Sequence, residues 1–357
     1  MTAGRTFDKQ KAKAFTERVL ADTSGMGVTM LAYIGDRLGL FQDLAAHGPA
    51  TSAELARRTG TVERYTREWL RALTAAGYLD YDASTGRFFL PPEHRAVLAQ
   101  ENGRVFFGGI HQMLIGLTRP IEQVLDAFRR GGGVPQSAYD RDWWDGLERD
   151  SAVTAENLIV QQWLPQLPDV TARLQRGALV ADIGCGHGRA LIRLAQTYPN
   201  SRYVGYDVFA PSIERACANA NAAGVSDRVD FEQRDILHGV PEALDVITTF
   251  DVIHDAAHPG ELLAAIRAAL KPDGFYVCVD IECSDGVAEN TGPLAALRYA
   301  YSVLYCMTTS LAAGGEGLGT LGLTESKMRA LCAAAGFRSL RKVPLKDSIN
   351  AVYEARP

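Results

Sequence analysis

Leu179-Val-Ala-Asp-Ile-Gly-Cys-Gly-His-Gly-Arg-Ala190 is the stretch that decides the fold of this 357-residue chain. An apolar run ends on an acid, Asp182, and Gly184, Gly186 and Gly188 then alternate before a helical pattern begins. Glycine is needed where the backbone turns sharply, or where a ligand comes too close for a Cβ. A dinucleotide fingerprint would require another glycine three residues after Gly186, and Arg189 stands there. By itself such a turn also occurs where a strand and a helix merely pack closely.

The flanking sequence supplies the rest. β-rich runs at 178–183, 202–207, 229–234, 245–250 and 274–281 alternate with helical patterns of ten or more residues. That alternation calls for parallel strands joined by crossover helices, hence an α/β doubly wound sheet. Two further β-like runs, 337–343 and 350–355, follow a helix expected at 324–335. Each of the first four runs ends on or next to a carboxylate: Asp182, Asp207, Asp235 and Asp251. The carboxyl edge is where such sheets bind ligands, and an aspartate there can accept from two ribose hydroxyls or from an adenine amino group. Ile236 can cover the adenine ring.

The front of the chain is helical. Residues 18–44 show helical spacing, a helix capped by Ser52 and ended by Gly60 follows, and a third helix covers 61–76. Residues 77–90 alternate around an Ala-Ser-Thr-Gly turn as a small hairpin does. Helix, turn, helix and hairpin make a winged helix, closed by Pro91-Pro92. Further helical patterns cover 108–130 and 151–164, broken at Gly131-Gly-Gly-Val-Pro135.

An acid followed by GxGxG, with acids closing the next strands, resembles the class I S-adenosylmethionine (SAM)-dependent methyltransferases over residues 175–357. With the winged helix in front, the chain resembles the branch that O-methylates small molecules. The resemblance implies a Rossmann-like methyltransferase sheet at 175–357, a winged-helix dimerisation domain at 1–100 and a helical linker and substrate cap at 101–174. It implies SAM as cofactor, S-adenosylhomocysteine (SAH) as product, and contacts to the cofactor from Asp182, Gly184, Gly186, Gly188, Asp207, Phe209, Asp235, Ile236 and Phe250. His254-Asp255 stands where that branch has a His-Asp dipeptide whose histidine is the general base. Asp280 takes the place of the acid that orients it. The base is needed because a neutral hydroxyl is a poor nucleophile. The branch commonly continues with Trp and a second acid, whereas this chain has Ala256-Ala257-His258. Asp255 and His258 are expected to orient the loop and cap the helix from Pro259. His111, Met113, Trp144, Cys306 and Met307 are candidates for the substrate pocket, and the glycine-rich loop at 314–320 for a packing or lid segment. No metal is expected, although His254, Asp255 and His258 have ligand spacing.

Composition agrees with an enzyme of this kind: 47% of residues are hydrophobic, 22% are charged and the net charge is −5. That excludes a disordered chain and gives no overall positive field for nucleic acid. The longest apolar stretches are interrupted, so no membrane span is expected. Residues 1–16 are polar, without the apolar core of a secretory signal. The six cysteines lack CxxC spacing and read as reduced thiols of a cytoplasmic protein. Two alternatives stand beside the O-methyltransferase: a C- or N-methyltransferase of a small metabolite, and a winged-helix regulator that binds SAM. Across 51–90 six basic residues face five acidic ones, too little excess for a strong phosphate footprint, so nucleic acid is not expected as a partner.

Overall fold

In the computed structural model, which describes residues 7–346 and 349–357, the expected helix, turn, helix and hairpin all form. Residues 1–6, part of the stretch read as lacking a secretory signal, lie outside the described residues. The chain divides into two units, one ending at Ile115 and one beginning at Gly116.

In the first unit a 29-residue helix, Lys9–Arg37, precedes the winged helix. The helix Ser52–Thr59 is capped by Thr51, one residue earlier than expected. The Thr51 hydroxyl accepts from the Glu54 amide while the Glu54 carboxylate accepts from the Thr51 amide. This reciprocal box satisfies two orphan donors and contributes about 1 kcal/mol. Ser52 instead donates its hydroxyl to Glu63 at 2.5 Å. Gly60 ends the helix at φ 67°, as expected. The helix Glu63–Ala75 buries Trp69, Leu70 and Leu73, and the Trp69 indole donates to the Leu31 carbonyl at 2.8 Å. Two of its arginines are paired along the helix, Arg64 with Glu68 and Arg67 with Glu63. Strands β1 (Asp80–Asp82) and β2 (Arg87–Phe89) form the antiparallel wing.

The second unit is built on seven strands: β3 (Leu179–Ile183), β4 (Arg202–Asp207), β5 (Val229–Gln233), β6 (Leu244–Phe250), β7 (Leu270–Ile281), β8 (Ser339–Lys342) and β9 (Asn350–Arg356). Their spatial order is β5-β4-β3-β6-β7-β9-β8. The first five are parallel, whereas β9 runs antiparallel to both β7 and β8. Only a few residues join β8 to β9, too few for a crossover helix, so a hairpin is the connection available. Two apolar cores are present, one containing Val180, Leu191 and Val246, the other Ile247, Leu263 and Met328. The strand order reverses at β3, and the crevice at that switch point is where doubly wound sheets bind ligands. The helix Arg141–Thr154 continues into a π-helical stretch, Ala155–Trp163, and Gly292–Tyr301 into another, Ser302–Cys306. Among the described residues no helix is long and apolar enough to cross a membrane.

Candidate active site

The turn after β3 is held by the carboxylate that ends β4. Asp207 accepts from the Gly186 amide at 2.9 Å and from the Phe209 amide at 2.8 Å. Burial raises its pKa, and these two amides work against that rise. Asp182 is buried one strand away and accepts from the Thr248 hydroxyl at 2.7 Å, with burial pushing its carboxyl up to about 7. Two of the turn's three glycines show why no other residue serves. At Gly188, φ 76°, a Cβ would lie 2.4 Å from the Phe231 ring, while at Gly186, φ 51°, it would meet nothing within 4 Å. Gly188 is therefore required by packing, and Gly186 leaves the approach to the turn open. The Phe231 ring also fills the space beside Gly205, so it cannot retreat from a new methyl group. Gly188→Ala is expected to destabilise the second unit by about 2–4 kcal/mol, the sum of a left-handed backbone and an overpacked site. Thermal unfolding measures it.

Further along this edge, Asp235 accepts from the Leu237 amide at 2.9 Å and caps a short turn that buries Ile236. Phe250, half-buried at the end of β6, stacks on Trp163 with ring centroids 6.3 Å apart. Phe209 stacks on Trp144 at 4.6 Å.

His254 sits in the loop after β6, and both of its ring nitrogens face carboxylates. Nδ1 lies 2.6 Å from Asp280 Oδ1 and Nε2 lies 3.0 Å from Asp255 Oδ1. Burial alone would drive the ring toward neutrality, but the charges of Asp280 and Asp255 outweigh it and raise its pKa well above the ordinary histidine value. Asp255 therefore turns to the imidazole and does not cap the following helix. His258 is exposed at the N-cap position of Pro259–Ala269 and makes no side-chain capping bond either. The glycine-rich segment packs beneath this loop: Glu316 donates its amide to the Ala257 carbonyl at 2.8 Å and Gly319 donates to the His254 carbonyl at 3.1 Å. A Cβ at Gly315 would lie 2.4 Å from Ala257.

Of the residues expected to line a pocket, Cys306 comes to the imidazole. Its Sγ, a ring nitrogen of His254 and an Asp255 oxygen all lie within 4.8 Å of one another. The π-helical turn Ser302–Cys306 delivers it together with Tyr305, and such turns recur at functional sites. Tyr305 gathers Tyr139, Trp143 and Trp144 around its ring. Met307, half-buried, opens the next helix. His111 and Met113 are buried in the first unit, where His111 lies 6.1 Å from the Phe107 ring.

Two residues of this region have surroundings that spacing does not reveal, although Asp251 was expected at the carboxyl edge. Asp251, left-handed at φ 55°, groups with His254 and Asp280 within 4.8 Å. It stays accessible although protein surrounds it, and that enclosure, with the charge of Asp280, pushes its carboxyl up to about 7. Its place directly after Phe250 was the available signal, but a non-glycine left-handed backbone is not legible in a sequence. Glu148 is the other. It is buried and accepts from Arg189 at 2.5 Å, Arg215 at 2.8 Å and Asn219 at 2.9 Å, and Asn219 also donates to the His187 carbonyl at 3.0 Å. This network ties the helix Arg141–Thr154 to the glycine turn. No local pattern marks it, because its partners are 41 to 71 residues away.

Known proteins share this plan. Residues 26–100 match the Rv2258c-like winged HTH domain and residues 181–276 match a methyltransferase domain. Acetylserotonin O-methyltransferase of Mus musculus is 27% identical, covering 100% of this chain and 92% of the relative. The 3-amino-4-hydroxybenzoate 4-O-methyltransferase of Streptomyces cremeus is also 27% identical, over 94% of this chain and 89% of its own. The structure of human N-acetylserotonin methyltransferase in complex with SAM superimposes with a TM-score of 0.70 at 20% identity, covering 99% of both chains. Together with the glycine turn and the acids on one sheet edge, these matches make the chain a SAM-dependent methyltransferase with an N-terminal winged helix-turn-helix domain.

Proposed function

We propose that this enzyme methylates a hydroxyl oxygen of a small organic molecule, with His254 accepting the hydroxyl proton. The observation that carries the proposal is the imidazole held between Asp280 and Asp255 at the end of β6. The O-methyltransferases among its relatives support oxygen as the atom methylated.

The residues present fit the cofactor. Gly186 leaves open space where a Cβ would stand, and Asp207 and Asp235 offer carboxylates along the same edge. We assign cofactor contacts to Asp182, Gly184, Gly186, Gly188, Asp207, Phe209, Asp235, Ile236 and Phe250. When bound, SAM supplies a methyl group activated by its sulfonium. Asp280 holds the imidazole in one orientation through Nδ1, which leaves Nε2 as the atom that takes the proton. Asp255 Oδ1 lies at Nε2, so the acceptor hydroxyl takes its place there. Trp144, Cys306 and Met307 are the candidates for acceptor contacts.

Both carboxylates favour the charged imidazolium, and a base must first be neutral. Turnover should therefore rise with pH along a limb lying well above the ordinary histidine range. Asp255→Asn removes one of the charges that favour protonation, so the limb should move to lower pH by about one unit or more. A pH profile of kcat/KM in both proteins reads this directly, and an unmoved limb would rule out the coupling.

The proposal is tested by offering matched phenol, aniline and carbon acceptors with SAM and detecting methylated product by mass. Transfer to the phenol with release of SAH is expected. Transfer confined to nitrogen or carbon would overturn it.

We further propose a cytoplasmic homodimer, with the winged-helix unit (residues 1–100) as the dimerisation domain and residues 101–174 as linker and cap. In support, Phe15, Leu20 and Met26 of the helix Lys9–Arg37 are 68%, 69% and 56% exposed, an apolar surface of the kind that marks interaction sites. Sedimentation should give a dimer, and a monomer at micromolar concentration would refute it.

A further inference from the structure

We propose that His254, Asp255 and Cys306 form a binding site for a thiophilic divalent cation such as Zn2+, whose occupancy shuts methyl transfer off. The site rests on geometry alone, while its inhibitory effect rests on His254 as the proton acceptor.

A nitrogen, a carboxylate oxygen and a sulfur, all within 4.8 Å of one another, form a mixed donor set suited to zinc. Zinc bonds of about 2.0–2.3 Å in a tetrahedral site put ligand atoms roughly 3.3–3.8 Å apart, so closing on the ion needs adjustments of about 1.5 Å at most. Asp255 Oδ1 is buried and already faces Nε2 at 3.0 Å, so the nitrogen and oxygen donors stand side by side. His254 Nδ1 is paired with Asp280 at 2.6 Å, and histidines that bind metal through one nitrogen almost always give the other to a carboxylate or carbonyl. That pairing leaves Nε2, on the side of Asp255, as the ligand atom.

Cys306 makes the site selective. Among the described residues the only other such group, Asp251, His254 and Asp280, shares the histidine but has no sulfur. Binding replaces the S–H bond of Cys306 by a sulfur–metal bond and releases that proton to solvent, and any proton on Nε2 leaves in the same way. The thiolate and the Asp255 carboxylate then neutralise the dication. A metal on Nε2 occupies the lone pair that would take the acceptor's proton, so the bound enzyme cannot use its base.

The test uses the full-length protein. Cobalt titration should give a sulfur-to-metal charge-transfer band, and competition with a chromogenic chelator should give one tight Zn2+ equivalent. Cys306→Ser should abolish the band, and it and Asp255→Asn should each weaken Zn2+ by about tenfold or more. Asp280→Asn should weaken it about 10–100-fold by loosening the imidazole. SAM titration of each variant confirms that it is folded. Zn2+ should stop methyl transfer by wild-type enzyme and a chelator should restore it. Unchanged affinity in both Cys306→Ser and Asp255→Asn, or a cobalt spectrum without the sulfur band, overturns the site while leaving O-methylation intact. Full-rate transfer by Zn2+-saturated enzyme overturns the inhibition and, with it, His254 as base.

Discussion

His254→Ala should lower turnover about 10²–10⁴-fold, the usual worth of a positioned general base, and leave SAM affinity in place. The imidazole is buried and hydrogen-bonded to Asp280 on one side, with Asp255 on the other. His258, four residues on, is exposed, and His238 lies in the turn after β5. Removing His254 also strips Asp280 of its partner, and an unpaired buried charge costs about 3–5 kcal/mol of stability. His254→Gln, which can still donate to Asp280, is the control for folding. Both variants should lose the rising limb of the pH profile. Full activity in either, with a folded protein, would mean that proximity alone drives transfer.

Asp207→Ala should weaken SAM binding about 100-fold or more, roughly 2.7 kcal/mol. The size follows from the turn's construction. One carboxylate accepts both the Gly186 and the Phe209 amides, and hydrogen bonds to charged groups contribute about 1.5–3 kcal/mol each. Alanine removes both and leaves two amides without partners, so the open approach at Gly186 loses its shape before any cofactor contact is counted. Asp207→Asn keeps one acceptor oxygen and should fall between the two. Binding measured by calorimetry separates this defect from that of His254→Ala, which should act on turnover and spare binding. At the cofactor concentrations that saturate the wild-type protein, Asp207→Ala should give no saturable heat. Wild-type affinity in Asp207→Ala would remove this residue from the cofactor site.

The sheet was legible because its signals are local. Each strand run ends where the structure ends it, to within a residue or so, and the glycine turn with its acid is continuous in the chain. Gly60 was recognisable because a left-handed C-cap favours glycine. The cap at Thr51 was misplaced by one residue because two hydroxyls adjoin, and only the reciprocal bond with Glu54 distinguishes them. The antiparallel insertion of β9 between β7 and β8 depends on pairing across the sheet, which no local pattern encodes. Within the site, His254 and Asp280 could be paired through the resemblance, but the turning of Asp255 onto Nε2 could not. Asp255 adjoins His254 in sequence, and its direction is set by the loop that Gly315 and Gly319 pack against. Cys306 reaches the imidazole through a π-helical turn, whose extra residue shifts every side chain after it. Glu148 was invisible for a similar reason: its meaning lies in three distant donors.

Titration calorimetry of the full chain with SAM and SAH tests the central claim most directly. A saturable heat for both ligands is expected, retained in His254→Ala and lost in Asp207→Ala. No heat from the wild-type protein at millimolar cofactor would contradict a SAM-dependent methyltransferase built on this glycine turn.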